Sequence, residues 1–155
     1  EIRYLFGLIN KYFSLELENV IKQGIKLNIV GELNRLPSNI KKTLKKSMQL
    51  TKKNKKILVN LAINYGSRKE IFNAIKKIKN KKNFKNFEKE LFSSKQPPEI
   101  LIRTGGYQRL SNFMLWQLAY SELFFIKKLW PDFKLIDLLK IIKKYNNIKR
   151  NFGAL

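Results

Sequence analysis

The sequence predicts an α/β protein with a mostly parallel central sheet that is covered by helices on both faces. Short apolar runs alternate with longer segments in which apolar residues recur every three or four positions, so crossover connections should join parallel strands. The run ILVNLAIN at 57–64 is largely apolar, as expected for a strand covered on two sides. The length of 155 residues suits a single domain, 1–155, with a real core.

The first 64 residues predict two helices and two strands in alternation. Residues 1–23 form an amphipathic helix that ends at Gly24 and carries an apolar stripe of Ile2, Leu5, Phe6, Ile9, Phe13, Leu17, Val20 and Ile21. The run IKLNIVG (25–31) is the first strand, and the run at 57–64 is the second. Pro37 opens the helix between them, whose predicted buried face consists of Ile40, Leu44, Met48 and Leu50.

The rest of the chain continues this alternation. The turn YGSR (65–68) leads into a helix with Ile71, Ile75 and Ile78 aligned, and a short helix follows at 84–92. EILIRTG (99–105) and LFFI (123–126) are the third and fourth strands. Between them, FMLWQLAY (113–120) is predicted to be a core helix capped by Ser111 or Asn112. The last helix, 134–149, has a predicted buried side of Leu135, Leu138, Leu139, Ile142 and Tyr145.

Composition narrows the chemistry that these residues can supply. They include no cysteine and no histidine, which excludes disulfides, thiolate metal sites and the commonest general base. No apolar run approaches the length of a membrane-spanning helix. The absence of cysteine makes a cytoplasmic location the default. The net charge of +22 would suit nucleic acid, but only six of the 33 basic residues are arginine, and the lysine excess accompanies abundant asparagine and isoleucine. We therefore interpret the lysines as a solvated surface and expect no nucleic-acid partner.

The segment 103–112 has the residue types of a phosphate or diphosphate pocket. Two adjacent glycines, 105 and 106, permit a sharp turn and would expose amide N–H groups. Arg103 and Arg109 can close on one anion with forked hydrogen bonds. The segment follows the third strand, and NYGSR (64–68) follows the second, at the edge where ligands bind in parallel sheets. The alternative is a capped turn whose arginines pair with surface carboxylates, and these residues alone leave both interpretations open.

Glu122 is a candidate metal ligand. It lies between two apolar segments, where an unpaired carboxylate would be costly, so it should meet an arginine or a cation. Magnesium is commonly held by one or two carboxylates, water and substrate phosphates, so the ion could be shared with the anion pocket. A structural Glu–Arg pair is the alternative.

The run IRTGGYQRLSNFMLWQLAYSELFF (102–125) followed by LWPDF (129–133) resembles the C-terminal signature of the cis-prenyltransferases, and is most similar to bacterial undecaprenyl diphosphate synthases. Four further stretches support the resemblance: EIRYLF at the start, NIVGELNRLP at 28–37, LVNLAINYGSR at 58–68 and the terminal KRNFG. The likeness covers essentially the whole chain in the right order.

This resemblance implies a transferase that joins isopentenyl diphosphate to an allylic diphosphate, such as farnesyl diphosphate, with cis geometry and with Mg²⁺ as cofactor. Its product would be a long polyprenyl diphosphate of the undecaprenyl type, a precursor of the cell-wall lipid carrier. The resemblance further implies a homodimer that delivers its product to the membrane. Such a protein would be cytoplasmic, with a peripheral position at the inner membrane face as an option.

Site residues can be assigned by the same likeness. Arg103, Arg109 and Ser111 would hold the diphosphate of isopentenyl diphosphate, and Leu110 would add a backbone contact. Glu122 would be the magnesium-site carboxylate.

The sequence departs from the family pattern at two places. Tyr107 stands where an acidic residue is usual, and Gln108 stands where histidine is frequent. The carbonyl oxygen of Gln108 makes it a further candidate magnesium ligand. Near the C-terminus the family often has several arginines that assist the neighbouring subunit, and here only Lys149 and Arg150 are basic.

The essential aspartate of the family lies in an N-terminal Asp-Gly-Asn-Gly-Arg-Trp segment on the first strand, which is not among these residues. Residue 1 is Glu and already lies in a helical pattern, so we expect a longer protein. The sheet would then be incomplete at its N-terminal end, without its first strand and preceding helices. We expect these residues alone to be inactive and poorly folded, with the catalytic aspartate upstream. A non-catalytic or degraded relative is the alternative.

Overall fold

A computed structural model describes residues 2–78, 84–92 and 96–149. The chain divides into two compact units, Glu1–Tyr65 and Gly66–Leu155. Each unit contains helices and one pair of parallel strands, which confirms the α/β class predicted from the sequence. None of the helices in the described ranges combines the length with the apolarity needed to cross a bilayer.

The first unit consists of two helices and two strands: α1 (Ile2–Lys22), β1 (Ile25–Val30), α2 (Ser38–Thr51) and β2 (Ile57–Ala62). All four lie within a few residues of their predicted positions. The two strands pair in parallel, with Ile25 opposite Ile57 and Val30 opposite Ala62. Both strands therefore end at the same edge, which is the geometry that crossover connections through helices produce.

The core of the first unit forms where α2 packs beside β1. Ile40 and Leu44 are 1% and 0% exposed, and with Ile29 and Leu36 they form one cluster. Three residues of the predicted α1 stripe pack against this cluster: Phe6, Ile9 and Phe13. Leu5, also predicted on the stripe, is instead 55% exposed.

The buried face of α2 differs from the predicted one at its C-terminal end. Leu50 is 48% exposed, whereas Ser47 and Thr51 are buried. These two residues continue the helical spacing from Leu44, and their polarity concealed the true face in the sequence. The Thr51 hydroxyl accepts the Leu27 N–H at 3.1 Å and donates to the Ser47 carbonyl at 2.8 Å, so burial leaves it satisfied.

The second unit contains α3 (Ser67–Lys77), α4 (Phe84–Glu90), β3 (Ile100–Arg103), β4 (Glu122–Phe125) and α5 (Leu135–Asn146). Strands β3 and β4 pair in parallel, with Ile100 opposite Glu122 and Arg103 opposite Phe125. Arg103 is thus the last residue of β3, and Glu122 is the first residue of β4.

The predicted core helix at 113–120 is wrong. Residues 111–120 form a series of turns, in which Ser111, Asn112 and Met114 have left-handed φ values of 48°, 63° and 45°. A right-handed helix cannot include such residues without losing its hydrogen-bond ladder. Met114 and Leu118 are nevertheless buried, so the apolar composition correctly indicated core residues but not their backbone conformation.

The predicted buried side of α5 is also wrong, because a different face of the helix is buried. Ile141 is buried, whereas Leu135, Leu139 and Ile142 are 69%, 50% and 37% exposed. The helix has aliphatic residues on nearly every side, so spacing alone could not choose among them. The prediction that strand 57–64 is buried on both faces is also wrong for the start of the strand. Ile57 and Leu58 are more than half exposed in this chain.

Candidate anion-binding site

The loop that follows β3 forms the candidate site. Its two glycines, Gly105 and Gly106, have φ values of 89° and 80°, which confirms the predicted sharp turn. Their N–H groups donate to the carbonyls of Lys128 at 2.8 Å and Ile126 at 2.9 Å. The prediction that these amides are exposed for an anion is therefore wrong, because the neighbouring backbone already uses them.

The segment that accepts these hydrogen bonds is itself anchored to the start of α5. The Lys128 ammonium lies 2.8 Å from a carboxylate oxygen of Asp137. The Lys128 side chain, and then the Lys134 backbone N–H, hold the pKa of Asp137 below its ordinary value. The carboxylate thus stays charged near neutral pH, and the turn rests on a fixed backbone.

Arg103 braces the loop from within. One of its terminal nitrogens, Nη1, donates to the Arg109 carbonyl and, at 3.0 Å, to the Ser111 hydroxyl. The guanidinium makes no ion pair with a carboxylate of the described ranges, which argues against the alternative of a structural surface pair. Its remaining N–H groups can donate to a ligand.

Tyr107 brings the two arginines together. Its ring centroid lies 4.1 Å from the guanidinium carbon of Arg109 and 5.9 Å from that of Arg103, so both cations contact one aromatic ring. In the sequence Tyr107 attracted notice only as a missing carboxylate. The signal that could have identified its role was an aromatic residue between two arginines on a tight turn.

Leu110 and Ser111 complete the cradle, by which we mean the group of Arg103, Tyr107, Arg109, Leu110 and Ser111. The Ser111 hydroxyl already accepts from Arg103 and can donate its proton to an oxygen of an anion. The Leu110 N–H has no acceptor among the described residues and remains available to a ligand. The structure thus collects four predicted site residues in one loop.

Glu122 does not join the cradle. It lies three residues before the β4 residue that is opposite Arg103, which at about 3.3 Å per residue is about 10 Å along the strands. Its carboxylate has no hydrogen-bond or ion-pair partner in the described part of the chain. The alternative of a structural Glu–Arg pair is therefore not formed with any described arginine.

The described residues supply only part of a Mg²⁺ site. The described ranges contain no group of three or more acidic side chains that could enclose a metal ion. A single unpartnered carboxylate is nevertheless a suitable ligand, because Mg²⁺ often binds one or two carboxylates together with water and substrate phosphates. Gln108 lies exposed on the loop, at the strand end opposite to Glu122. The C-terminal Arg150 lies outside the described residues.

Asn112 is a residue whose role sequence reasoning missed. Its backbone carbonyl accepts the Ser67 N–H at 2.8 Å, and its side-chain oxygen accepts the Arg68 N–H at 2.9 Å. In return, the Leu115 N–H donates to the Ser67 hydroxyl at 3.0 Å. Asn112 therefore caps α3 instead of a helix of its own. The segment NYGSR (64–68) was expected at a ligand-binding edge of the sheet. Its hydrogen bond to Asn112 joins residues that are 44 positions apart, so no local sequence pattern could have predicted this contact.

The chain is similar in sequence to a family of known proteins. A family model for undecaprenyl diphosphate synthase matches residues 1–153. An isoprenyl transferase of Rickettsia bellii is 41% identical and aligns over 99% of this chain and 70% of its own length. A tritrans,polycis-undecaprenyl-diphosphate synthase (geranylgeranyl-diphosphate specific) of Picrophilus torridus is 42% identical, over 99% of this chain and 65% of its own length. The chain thus spans about two thirds of the length of these relatives.

Solved structures agree with the sequence comparison. The crystal structure of a probable undecaprenyl diphosphate synthase from Campylobacter jejuni is 34% identical, with a TM-score of 0.89 over 99% of this chain and 75% of that one. Lavandulyl diphosphate synthase from Lavandula x intermedia, in complex with dimethylallyl diphosphate, is 30% identical. Its TM-score is 0.92 over 99% of this chain and 72% of that one.

Proposed function

The chain belongs to the undecaprenyl diphosphate synthase family of cis-prenyltransferases, and from this membership we propose that the full-length protein condenses isopentenyl diphosphate with an allylic diphosphate. The observation that carries the proposal is the cradle, in which two guanidinium groups contact one tyrosine ring beside a serine hydroxyl. None of the comparisons supports the alternative of a non-catalytic relative.

The cradle residues would bind and position isopentenyl diphosphate. Arg103 and Arg109 would donate charge-assisted hydrogen bonds to its phosphate oxygens, and Leu110 N–H and the Ser111 hydroxyl would add two neutral ones. Held in this way, the double bond of isopentenyl diphosphate attacks C1 of the allylic partner. A carbon–carbon bond forms, the allylic C–O bond breaks, diphosphate leaves with its electron pair, and the isopentenyl unit loses one proton. Positioning supplies much of the rate enhancement in such a reaction.

The names of two similar proteins support an allylic co-substrate. One relative is described as geranylgeranyl-diphosphate specific, and one solved structure holds dimethylallyl diphosphate. We propose farnesyl diphosphate or a related allylic diphosphate as the acceptor, and a long polyprenyl diphosphate of the undecaprenyl type as the product. Such a product is insoluble in water, so a peripheral position of the protein at the cytoplasmic membrane face would let it pass to the lipid phase as the cell-wall carrier precursor.

The proposed function is tested by incubating the full-length protein with radiolabelled isopentenyl diphosphate, farnesyl diphosphate and MgCl₂. We expect butanol-extractable radioactivity that depends on both substrates, and chromatography of the dephosphorylated product then measures chain length. Absence of incorporation at any magnesium concentration, by a protein shown to be folded, would refute the proposal.

We further propose that Glu122 provides the protein carboxylate for a Mg²⁺ ion that lies outside the cradle, where the ion would neutralise negative charge on the allylic diphosphate. Replacing it, Glu122→Gln, keeps the size of the side chain but removes the charge that a hard cation prefers. We expect kcat/KM at limiting Mg²⁺ to fall roughly a hundredfold, with partial recovery at high Mg²⁺. Glu90→Gln is the control, because Glu90 pairs with Lys77 at 3.5 Å and is not assigned to the ion. Equal magnesium dependence of the two variants would contradict the assignment.

A homodimer is proposed on the basis of α5. Leu135, Ile136 and Leu139 are 69%, 55% and 50% exposed on one face of that helix, and contiguous exposed apolar residues mark contact surfaces. Leu139→Glu should raise the dimer dissociation constant at least about tenfold, as measured by light scattering across a dilution series. Leu50→Glu is the matched control, an equally exposed leucine on α2, and should leave the mass unchanged. A dimer unaffected by Leu139→Glu would place the interface elsewhere.

A further inference from the structure

Asn112 fixes the start of α3 next to the cradle. Gly66 stands at the N-cap of α3 and offers no side-chain hydrogen bond, and Asn112 supplies both missing acceptors. Ser67 is completely buried at this junction. Because the first N–H groups of α3 are already taken, the helix terminus itself is not free to bind an anion.

The hydrogen bond from the Arg68 N–H to Asn112 places the backbone of Arg68 next to the loop that carries the cradle. Asn112 directly follows Ser111, whose hydroxyl accepts from Arg103. The Arg68 side chain is exposed, and its guanidinium has no partner in the part of the chain that the structure describes. An arginine at this position can donate a forked pair of hydrogen bonds to a phosphate, which a lysine cannot.

The cradle has capacity for a third cation. Arg103 directs Nη1 to the Arg109 carbonyl and the Ser111 hydroxyl, so only part of its fork is left for a ligand. A diphosphate presents two phosphate groups, each of which can accept a forked pair of hydrogen bonds. A further guanidinium near this loop would therefore add donors for phosphate oxygens beyond those that Arg103 and Arg109 satisfy.

We propose that Arg68 is a third diphosphate-binding arginine of the cradle and that Asn112 is its positioning residue. The inference rests on the proposed function only in taking the cradle to bind a diphosphate. Asn112 acts through the backbone of Arg68, and its left-handed φ of 63° lets one residue present both of its acceptors to α3.

The first test measures binding of inorganic pyrophosphate and of isopentenyl diphosphate to the full-length protein by titration calorimetry, in EDTA so that no metal contributes. Arg68→Ala should weaken both ligands about ten- to a hundredfold, because a hydrogen bond between charged groups is lost. Arg35→Ala is the control, since it removes the same charge from a 77% exposed side chain in the other unit. Unchanged affinity in Arg68→Ala, or an equal loss in both variants, would overturn the proposal.

The second test separates positioning from a merely structural role. Asn112→Gly keeps the left-handed backbone accessible and removes only the side-chain acceptor. We expect it to weaken pyrophosphate binding several-fold in the wild-type background and by less than about twofold in the Arg68→Ala background, since coupled residues are not additive. Equal losses in both backgrounds, or a lower melting temperature with unchanged affinity, would show that Asn112 does not act through Arg68.

These measurements distinguish failure of the inference from failure of the proposed function. Pyrophosphate binding that depends on Arg68, in a protein that incorporates no isopentenyl diphosphate, would support the inference and refute the transferase assignment. If the protein turns over its substrates but Arg68→Ala leaves pyrophosphate binding unchanged, the transferase assignment would stand and the inference would be refuted. A wild-type protein with no affinity for either ligand would refute both.

Discussion

Replacing Arg103 with alanine should abolish most of the proposed transferase activity. We expect kcat/KM for isopentenyl diphosphate to fall about a thousandfold, which corresponds to about 4 kcal/mol of lost stabilisation. Two effects add up in this estimate. The ligand loses charge-assisted hydrogen bonds worth about 1.5–3 kcal/mol each, and the loop loses the donor that holds the Arg109 carbonyl and the Ser111 hydroxyl. Steady-state incorporation of radiolabelled isopentenyl diphosphate measures the change.

Arg103→Lys separates these two effects. Lysine keeps the positive charge but has a single ammonium, which cannot brace the loop and donate a fork to a diphosphate at once. Its activity should lie between those of the wild type and the alanine variant, with a KM for isopentenyl diphosphate raised more than kcat is lowered. Melting curves of all three proteins exclude unfolding as the cause. Turnover of a folded Arg103→Ala protein at the wild-type rate would disprove the role of the cradle.

Sequence reasoning predicted the location of the cradle because that location depends on local patterns. A strand that ends in arginine, followed by adjacent glycines, indicates a turn at the carboxyl edge of a sheet, and the structure shows Arg103, Gly105 and Gly106 in those roles. Four residues of one loop lie together whenever the loop folds at all. This is why Arg103, Arg109 and Ser111 could be grouped from residue types alone, whereas Leu110 was added only by the family resemblance.

The parts that sequence reasoning missed depend on contacts between distant segments. Asn112 was predicted to cap a local helix but instead accepts hydrogen bonds from Ser67 and Arg68. These bonds, with that from the Leu115 N–H to the Ser67 hydroxyl, accompany the non-helical backbone of residues 111–115. The use of the glycine N–H groups by the carbonyls at 126 and 128 also follows from parallel pairing of β3 with β4, since that pairing brings the following segments side by side. Local propensity is weak compared with such tertiary hydrogen bonds.

The separation of Glu122 from the cradle follows from the parallel pairing of β3 with β4. In the sequence, the preference of Mg²⁺ for a carboxylate together with substrate phosphates suggested that Glu122 and the anion pocket share one ion. The parallel register instead puts Arg103 at the end of β3 and Glu122 at the start of β4. The predicted parallel strands already implied this placement, because the ends of parallel neighbours lie at one edge and their starts at the other. The separation could therefore have been inferred from the sequence.

The largest effect on stability should come from Gly31→Ala, which is independent of the proposed function. Gly31 follows β1 with a φ of 113°, a region that side chains rarely adopt, and an added Cβ would lie 2.1 Å from the Ile63 carbonyl oxygen. Relief of that clash requires movement of backbone that also carries the bonds from Ile63 N–H to Val30 and from Glu32 N–H to Asn64. We expect a loss of about 3 kcal/mol or more in the free energy of unfolding, and a melting temperature lower by roughly 10 °C.

Gly7→Ala provides the matched control within the same unit. Gly7 lies inside α1, and an added Cβ would meet nothing within 4 Å. Alanine is the better helix former by about 1 kcal/mol, so the same chemical change should raise the melting temperature by a few degrees at this position. Opposite signs for one substitution at two glycines would show that backbone geometry, and not the added methyl group, decides the outcome. If Gly31→Ala melted at the wild-type temperature, the close approach of β1 to Ile63 could not be as described.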